Sequence, residues 1–204
     1  MDKIKKFIIN NIVDDNYNNN SIVFSFSIID DNYFVFHIYN PKYENIKIND
    51  RNMYFFNKIS QMFFNKSEKN KGCFNHTNND NSFLYNSNIE NILNNFLNIE
   101  YTFILVQTNN FIPLSIFCCV KNYIYNVCTD FNNRGNGYMS KLLNHYFILV
   151  KKDKLKNGIH NEIFLDVVYI NPDFENVKKY YEESYSFKFF EKNDSKVILK
   201  KMIQ

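Results

Sequence analysis

Hydrophobic and polar positions recur along this chain with two different periods. Short runs of aromatic and β-branched residues, bounded by Asn- and Asp-containing turns, predict strands, whereas apolar residues at three- and four-residue spacing predict helices. The predicted strands lie at residues 21–29, 33–39, 101–107, 111–120, 123–129, 163–168, 186–191 and 196–200. The predicted helices lie at residues 53–64, at 89–97, after Gly137 as far as Val150, and at 177–181. A short turn therefore joins the strand at 123–129 to the helix that follows Gly137.

This turn gathers residues that are rare in the chain. Two of the four glycines and one of the two arginines fall within residues 134–137. A glycine pair lets successive backbone N–H groups turn toward an anion without a Cβ in the way, and the first turn of a helix adds a partial positive charge. Arg134 supplies a fixed charge for a phosphate. The succession of strand, glycine-rich turn and helix thus predicts a phosphate-binding site.

Two familiar phosphate-binding patterns do not describe this turn. The Walker loop requires Gly-x-x-x-x-Gly-Lys-Ser/Thr, and that spacing does not occur in the chain. The dinucleotide fingerprint requires a third small residue, for which Ser140 is suitably placed, and an acidic residue about twenty positions later, which has no well-placed counterpart. An unrelated α/β phosphate binder that prefers ATP or NAD stays open as a further interpretation.

The turn resembles the acetyl-coenzyme A signature of the GNAT superfamily of N-acetyltransferases, Arg/Gln-x-x-Gly-x-Gly/Ala at a strand-to-helix turn. Residues 134–139 match it except at the last position, where Met139 replaces Gly or Ala, and 140–143 continue as Ser-Lys-Leu-Leu. A second part of the resemblance lies downstream, in the strand at 163–168, then Asn171, then the helix at 177–181 with Tyr180 and Tyr181. Together these features cover roughly residues 99–202, about half of the chain.

The resemblance implies an α/β (α+β) fold with a mixed, mostly antiparallel central sheet flanked by helices. We expect one domain over residues 1–204, with a divergent N-terminal part at 1–98 and an acetyl-coenzyme A-binding core at 99–202. The stretch at 65–87 is polar and rich in Asn and Lys, and it predicts a mobile loop or an insertion.

The resemblance also implies roles for individual residues. The backbone of the strand end and turn would hold the cofactor arm and its pyrophosphate, and Tyr181, or Tyr180 in an alternative register, would protonate the departing thiolate. Asp130 and Asp166 are the candidates for a base that acts through water. The residues implied in cofactor binding are Val127, Cys128, Thr129, Arg134, Gly135, Asn136, Gly137, Tyr138, Met139 and Asn171.

The function that follows is direct transfer of an acetyl group from acetyl-coenzyme A, as acyl-donor cosubstrate, to a primary amine on a small molecule or a protein. The alternative is a protein of the same fold that binds coenzyme A, or nothing, and works as a sensor or interaction module. Turnover with a panel of amines separates the two.

Charge and composition limit the partners, the location and the metal sites that we expect. A net charge of +3, with lysines spread along the chain, implies neither a nucleic-acid nor a membrane partner. We expect a cytoplasmic protein because the chain has neither a signal region nor an apolar run of the roughly 18 residues that a membrane span needs. The four cysteines show no CxxC spacing and the histidines are scattered, so no metal site is expected. Cys128 is interpreted as a small buried thiol, with an acetyl-carrying nucleophile left open.

Overall fold

The structure is a computed structural model that describes residues 2–12, 22–65, 72–73, 88–152, 161–168 and 174–203. The chain divides into two compact units, and we describe each by itself. The first comprises residues 1–118 and 126–142, and the second comprises residues 119–125 and 143–204. Most of the polar stretch predicted at 65–87 lies outside the described residues, as does Asn171.

The secondary structure consists of α-helices and of strands that share one hydrogen-bonded sheet. The helices are α1 Asp2–Asn11, α2 Met53–Phe63, α3 Ile89–Leu97, α4 Tyr138–Lys151 and α5 Phe174–Tyr185. The strands are β1 Val23–Asp30, β2 Tyr33–Tyr39, β3 Tyr101–Gln107, β4 Pro113–Val120, β5 Tyr123–Thr129, β6 Glu162–Val168, β7 Lys188–Lys192 and β8 Lys196–Met202.

The sheet has the strand order β1-β2-β3-β4-β5-β6-β8-β7. The pairs β1–β2, β2–β3, β6–β8 and β7–β8 are antiparallel, and β5–β6 is parallel. This mixed, mostly antiparallel sheet with flanking helices confirms the predicted fold class. The predicted division into one domain with a divergent N-terminal part stays a prediction.

Side-chain oxygens set several of the element ends. Asn88 caps α3 because its Oδ1 accepts a hydrogen bond from the Asn91 N–H at 2.8 Å. Asp30 Oδ1 accepts from the Tyr33 N–H at 3.0 Å in the β1–β2 turn. Asn193 Oδ1 accepts from the Lys196 N–H at 3.1 Å in the β7–β8 turn. At the helix start and in the two turns, these short polar side chains accept hydrogen bonds from backbone N–H groups. The two turns therefore fall where the sequence predicts them.

The first unit has a core that includes a helix absent from the sequence prediction. Ile4, Ile8 and Ile12 of the α1 region are all buried, and they recur at four-residue spacing. Phe7 stacks on Phe111 with ring centroids 3.9 Å apart. The helical signal was present in the sequence as this isoleucine repeat. Strand β3 is buried along nearly its whole length, as expected for a strand covered on both faces.

The second unit has its own core, built on alternate residues of β6. Ile163, Leu165 and Val167 are buried. Helices α4 and α5 meet through aromatic rings, because Phe147 lies 5.9 Å from Tyr185, centroid to centroid. Across the described part of the chain, no helix has the length and apolar character needed to cross a bilayer.

Candidate cofactor site

The end of strand β5 is fixed by contacts with β4 inside the first unit. Thr129 Oγ1 and Ser115 Oγ are hydrogen-bonded at 2.9 Å, and the Asp130 N–H donates to the Leu114 carbonyl at 2.9 Å. Both the residue that closes the strand and the one after it are therefore held by a neighbouring strand. The residues predicted to bind the pantetheine arm, Val127–Thr129, end at this anchor.

Strand β5 is interrupted at Asn126, a feature that sequence reasoning missed. Asn126 has a φ of +50°, outside the extended conformation of a regular strand. The described pairing of β5 with β6 joins Tyr123 to Phe164 and Ile124 to Leu165, both before this interruption. Asn tolerates a positive φ better than most residues. An Asn within a strand of aromatic and β-branched residues could therefore have indicated the irregular backbone. Positive φ at non-glycine residues is enriched at functional sites.

The glycine-rich turn adopts the conformation that its sequence predicts. Gly135 and Gly137 have φ values of +79° and +72°, which glycine adopts without steric cost. A Cβ added at either position would meet no atom of the described residues within 4 Å, so this part of the structure leaves the space beside both glycines open. Helix α4 begins at Tyr138, and its first N–H groups lack acceptors within the helix. The turn can therefore present backbone donors to an anion.

Arg134 is held at the start of this turn by three neighbours. Its Nε donates to the Thr129 carbonyl at 3.3 Å, and its Nη2 lies 3.5 Å from Cys73 Sγ. The guanidinium carbon lies 5.1 Å from the centre of the Phe131 ring. The side chain is exposed, and these contacts engage only part of its five N–H donors. The remaining donors can bind a phosphate.

Cys73 and Cys128 form a disulfide, with Cα atoms 5.8 Å apart and a sequence separation of 55 positions. This corrects the interpretation of Cys128 as a free thiol, whether inert or acetyl-carrying, because a disulfide sulfur is neither. The sequence spacing of the two cysteines did not predict this disulfide, because a pair so far apart matches no motif. Only the fold brings the two residues together. Cys118 and Cys119 are buried and lie outside this disulfide. Burial raises the pKa of the Cys118 thiol to about 12.

Met139 stands where the GNAT signature has Gly or Ala. It is 8% exposed, so its side chain belongs to the protein interior. Its backbone N–H lies in the first turn of α4, among the groups that the helix itself leaves without acceptors. The departure from the signature therefore changes the packing below the turn while keeping the backbone donor.

A charged and aromatic cluster joins the β1–β2 turn to the start of α4. Lys141 Nζ donates to Asp30 Oδ2 at 2.7 Å and lies 4.5 Å from the centre of the Tyr33 ring. The Tyr33 ring in turn lies 5.6 Å from that of Tyr138, centroid to centroid. Sequence reasoning missed this cluster because Asp30 and Lys141 are 111 positions apart. It ties the N-terminal hairpin to the helix that follows the glycine turn.

The pair of Asp30 and Lys141 leads to a prediction about pH. The hydrogen bond from Lys141 lowers the pKa of Asp30 below its ordinary value. The pair therefore contributes stability that is fully present above the unfolded-state pKa of about 3.9 and is lost as the pH falls through the lower, folded-state value. Both side chains are about one-third exposed, at 33% and 39%, so we expect less than about 1 kcal/mol.

The measurement is a thermal-unfolding series of the wild type and Lys141→Met from pH 7 to pH 2. Methionine keeps the apolar stem and removes the charge. We expect a small stability difference at neutral pH that shrinks progressively as the pH falls below ~4 and is absent below the folded-state pKa of Asp30. An NMR titration should show the Asp30 midpoint rising toward its ordinary value in the variant. An unchanged midpoint would contradict the assignment.

The two candidate bases are both engaged by neighbours. In the first unit, Asp130 Oδ2 accepts from Asn133 Nδ2 at 2.7 Å. In the second unit, Asp166 accepts from the Tyr123 hydroxyl at 2.5 Å and forms an ion pair with Lys196. Burial and the hydrogen bond to Asp166 raise the pKa of Tyr123. Both carboxylates therefore already accept hydrogen bonds from neighbouring side chains.

The two candidate acids differ in exposure within the second unit. Tyr181 is 6% exposed, whereas Tyr180 is 37% exposed. The Tyr180 and Tyr185 hydroxyls are hydrogen-bonded at 3.1 Å, and Tyr181 packs edge-on against Phe187 at 6.1 Å, centroid to centroid. Burial raises the pKa of Tyr181. The sequence could not separate the two residues, because they are adjacent in a helix rich in tyrosine.

A cavity of about 490 Å³ lies in the first unit between α2 and α3. Glu90 is the one carboxylate among its described lining residues, and its Oε1 accepts from the Ile48 N–H at 3.1 Å. The volume is in the range of small-molecule sites. The described lining consists of Ile48, Met53, Asn57, Ser60, Gln61, Phe64, Asn65, Asn88, Ile89, Glu90 and Ile92. This set contains none of the residues that the resemblance implies in cofactor binding.

Comparison with solved structures finds GNAT acetyltransferases. One, from Staphylococcus aureus Mu50, shares 15% identity over 79% of this chain and 99% of its own, with a TM-score of 0.48. Another is the ribosomal-protein-S18-alanine N-acetyltransferase from Escherichia coli, with 20% identity over 50% of this chain and 68% of its own and a TM-score of 0.36. No protein-family model matches the sequence, and no curated protein does so either.

Proposed function

We propose that this protein is an N-acetyltransferase that moves an acetyl group directly from acetyl-coenzyme A to a primary amine. The observation that carries the proposal is the open glycine turn between β5 and α4, with Arg134 at its start. Gly135 and Gly137 both adopt positive φ, and no atom of the residues that the structure describes lies within 4 Å of where their Cβ atoms would be. Such a turn suits a pyrophosphate, because a side chain would occupy the volume that the phosphate oxygens need.

The strand end before the turn supplies the rest of the proposed cofactor site. Val127, Cys128 and Thr129 would offer backbone groups to the pantetheine arm, and one N–H would stabilise negative charge that develops on the thioester carbonyl. Bound acetyl-coenzyme A would supply an activated acetyl group. The anchor between Thr129 and Ser115 keeps the donors in place, so they need little reorganisation on binding.

For the acid that protonates the departing thiolate, we propose Tyr180 over Tyr181. A phenol suits this role because its unperturbed pKa, about 10, is close to that of an alkyl thiol. The acid has to reach its substrate, and Tyr180 is the more exposed of the two. Its hydrogen bond with the Tyr185 hydroxyl would orient it and could return a proton after transfer.

A second candidate function is a coenzyme A-binding sensor or interaction module without turnover. It is favoured by the engagement of both candidate bases, Asp130 by Asn133 and Asp166 by Lys196. An amine must lose a proton before it attacks, and neither carboxylate is poised to take it. The cofactor site is common to both functions, so they differ in turnover rather than in binding.

The test is an assay of thiol release from acetyl-coenzyme A with a panel of small amines and peptides, using the wild type, Tyr180→Phe and Tyr181→Phe. We expect the wild type to acetylate at least one amine and Tyr180→Phe to lose roughly 100-fold in kcat, the lower range for a general acid. Tyr181→Phe serves as the matched control, since it removes a neighbouring hydroxyl, and we expect it to keep most of the activity.

Each other outcome has a defined meaning. A greater loss in Tyr181→Phe than in Tyr180→Phe would reverse the assignment of the acid. Binding of acetyl-coenzyme A without turnover on any amine would favour the sensor function. Tighter binding of ATP or NAD than of coenzyme A would overturn both and favour an unrelated phosphate binder.

A further inference from the structure

The disulfide of Cys73 and Cys128 lies at the proposed cofactor site. Cys128 is the penultimate residue of β5, and Cys73 is also tied to α2, since its N–H donates to the Met62 carbonyl at 2.9 Å. Cys128 Sγ lies 3.1 Å from the same carbonyl oxygen. The sulfur bridge therefore joins the strand that would bind the pantetheine arm to the C-terminal end of a helix, all within the first unit.

The sulfurs of Cys73 and Cys128 have different surroundings, and we therefore expect them to differ in reactivity. Cys128 is 2% exposed, whereas Cys73 is only partly buried. The guanidinium of Arg134 lies 3.5 Å from Cys73 Sγ. A cation beside a partly exposed sulfur stabilises its thiolate, which is the reactive form, whereas a sulfur in apolar surroundings is inert toward outside reagents. Cys73 is thus the residue that would react first with an oxidant.

The sulfur of Cys73 is also one of the contacts that orient Arg134. The same guanidinium donates to the Thr129 carbonyl and lies over the Phe131 ring. In the disulfide form, Cys73 is neutral and positions the guanidinium without neutralising it. In the dithiol form, a Cys73 thiolate would pair with Arg134 and compete with a phosphate for its charge.

We propose that Cys73 and Cys128 form a redox switch in which the disulfide form binds acetyl-coenzyme A and the dithiol form binds it weakly. This inference rests on the proposed function, because it concerns the same cofactor site. Disulfides in reducing compartments are usually transient and redox-sensing. A regulatory disulfide therefore agrees with the cytoplasmic location expected from the sequence.

The oxidant is a low-molecular-weight disulfide such as oxidised glutathione. The Cys73 thiolate attacks one sulfur of that disulfide, whose S–S bond breaks and releases one thiolate, which takes a proton. The Cys128 thiolate then attacks the Cys73 sulfur of the mixed disulfide and displaces the second small thiolate. Two protein thiols are oxidised and one small disulfide is reduced to two thiols. Excess small thiol reverses both steps.

The test is calorimetric titration of acetyl-coenzyme A, which has no free thiol, into the protein equilibrated with oxidised glutathione or with a phosphine reductant. Alkylation and mass spectrometry of each sample establish which cysteines are free. We expect Cys73 and Cys128 to be alkylated only after reduction, and the dissociation constant to be at least tenfold higher in the reduced protein. Cys73→Ser is the matched control, and its affinity should be the same under both conditions.

The outcomes separate this inference from the proposed function. Equal affinity in the two states, or tighter binding after reduction, would overturn the switch and leave the proposed cofactor intact. Free Cys73 and Cys128 at every ratio of oxidised to reduced glutathione would also overturn it. Absence of acetyl-coenzyme A binding in both states would overturn the proposed function, and the inference with it. A redox effect that persists in Cys73→Ser would assign the change to other cysteines and contradict the proposal.

Discussion

Replacing Gly137 by Glu is expected to weaken acetyl-coenzyme A binding by at least about 100-fold, or roughly 2.7 kcal/mol. The proposed site puts the pyrophosphate beside this residue, where a Cβ would meet no atom within 4 Å in the part of the chain that the structure describes. The new carboxylate would enter that space, and two like charges about 4 Å apart near a protein surface repel by about 4 kcal/mol. Thermal unfolding measures the effect, since ligand at about 100 times its dissociation constant should raise the Tm of the wild type by roughly 5 to 10 °C.

Gly137→Gln is the control for this experiment, because it has the same size and the same backbone strain without the charge. Gly137 has a φ of +72°, and a side chain there costs about 1–2 kcal/mol of stability in either variant. We expect Gly137→Gln to retain clear stabilisation by acetyl-coenzyme A and Gly137→Glu to retain none, with both variants folded by circular dichroism. Equal stabilisation of the two variants would show that no anion binds at this turn.

Replacing Cys73 by Ser is expected to destabilise the oxidised protein by about 4 kcal/mol. The bridge closes a loop of 55 residues, and in the chain-entropy model its removal returns that much conformational freedom to the unfolded state. For a chain of 204 residues, this corresponds to a Tm lower by about 10 °C. Thermal unfolding of the oxidised wild type and of the variant, without ligand, measures the difference.

Reduction supplies the control without a mutation. A phosphine reductant should lower the Tm of the wild type by about the same amount as Cys73→Ser, and it should leave the Tm of Cys73→Ser unchanged. Serine is close to cysteine in size, so the packing around Met62 changes little. A wild type whose Tm does not respond to reduction would show that the bridge contributes no stability. A fall in the variant on reduction would mean that another cysteine pair is responsible.

Local periodicity predicted most of the secondary structure because it reports contacts within a few residues. The strands at 33–39, 101–107 and 123–129 and the helix at 89–97 were predicted with the bounds that the structure has. Strand β4 begins at Pro113 rather than at residue 111, since Phe111 takes a φ of +56° in the preceding turn. Helix α1 was missed although its isoleucine repeat was visible.

In the candidate site, too, the features that depend on local sequence were predictable and those that depend on distant contacts were not. The glycine turn was predictable because the need for positive φ is a property of single residues, and glycine meets it. The choice between Tyr180 and Tyr181 was not, because adjacent residues of a helix face different surroundings that the sequence of the helix does not specify. The engagement of Asp166 by Lys196 was equally hidden, since 30 positions separate them.

By itself, the sequence determined the order of the strands and of helices α2 to α5, the strand–turn–helix unit with its glycines, and the position of Arg134 at the start of the turn. These depend on backbone preferences and on the spacing of apolar side chains, which act over a few residues. Only the tertiary structure decided that Cys73 bonds to Cys128, that Lys141 pairs with Asp30, and that Asn126 interrupts β5. The two pairs join residues far apart in the chain. At Asn126 the sequence shows only that the residue tolerates a positive φ, and the fold decides that it adopts one.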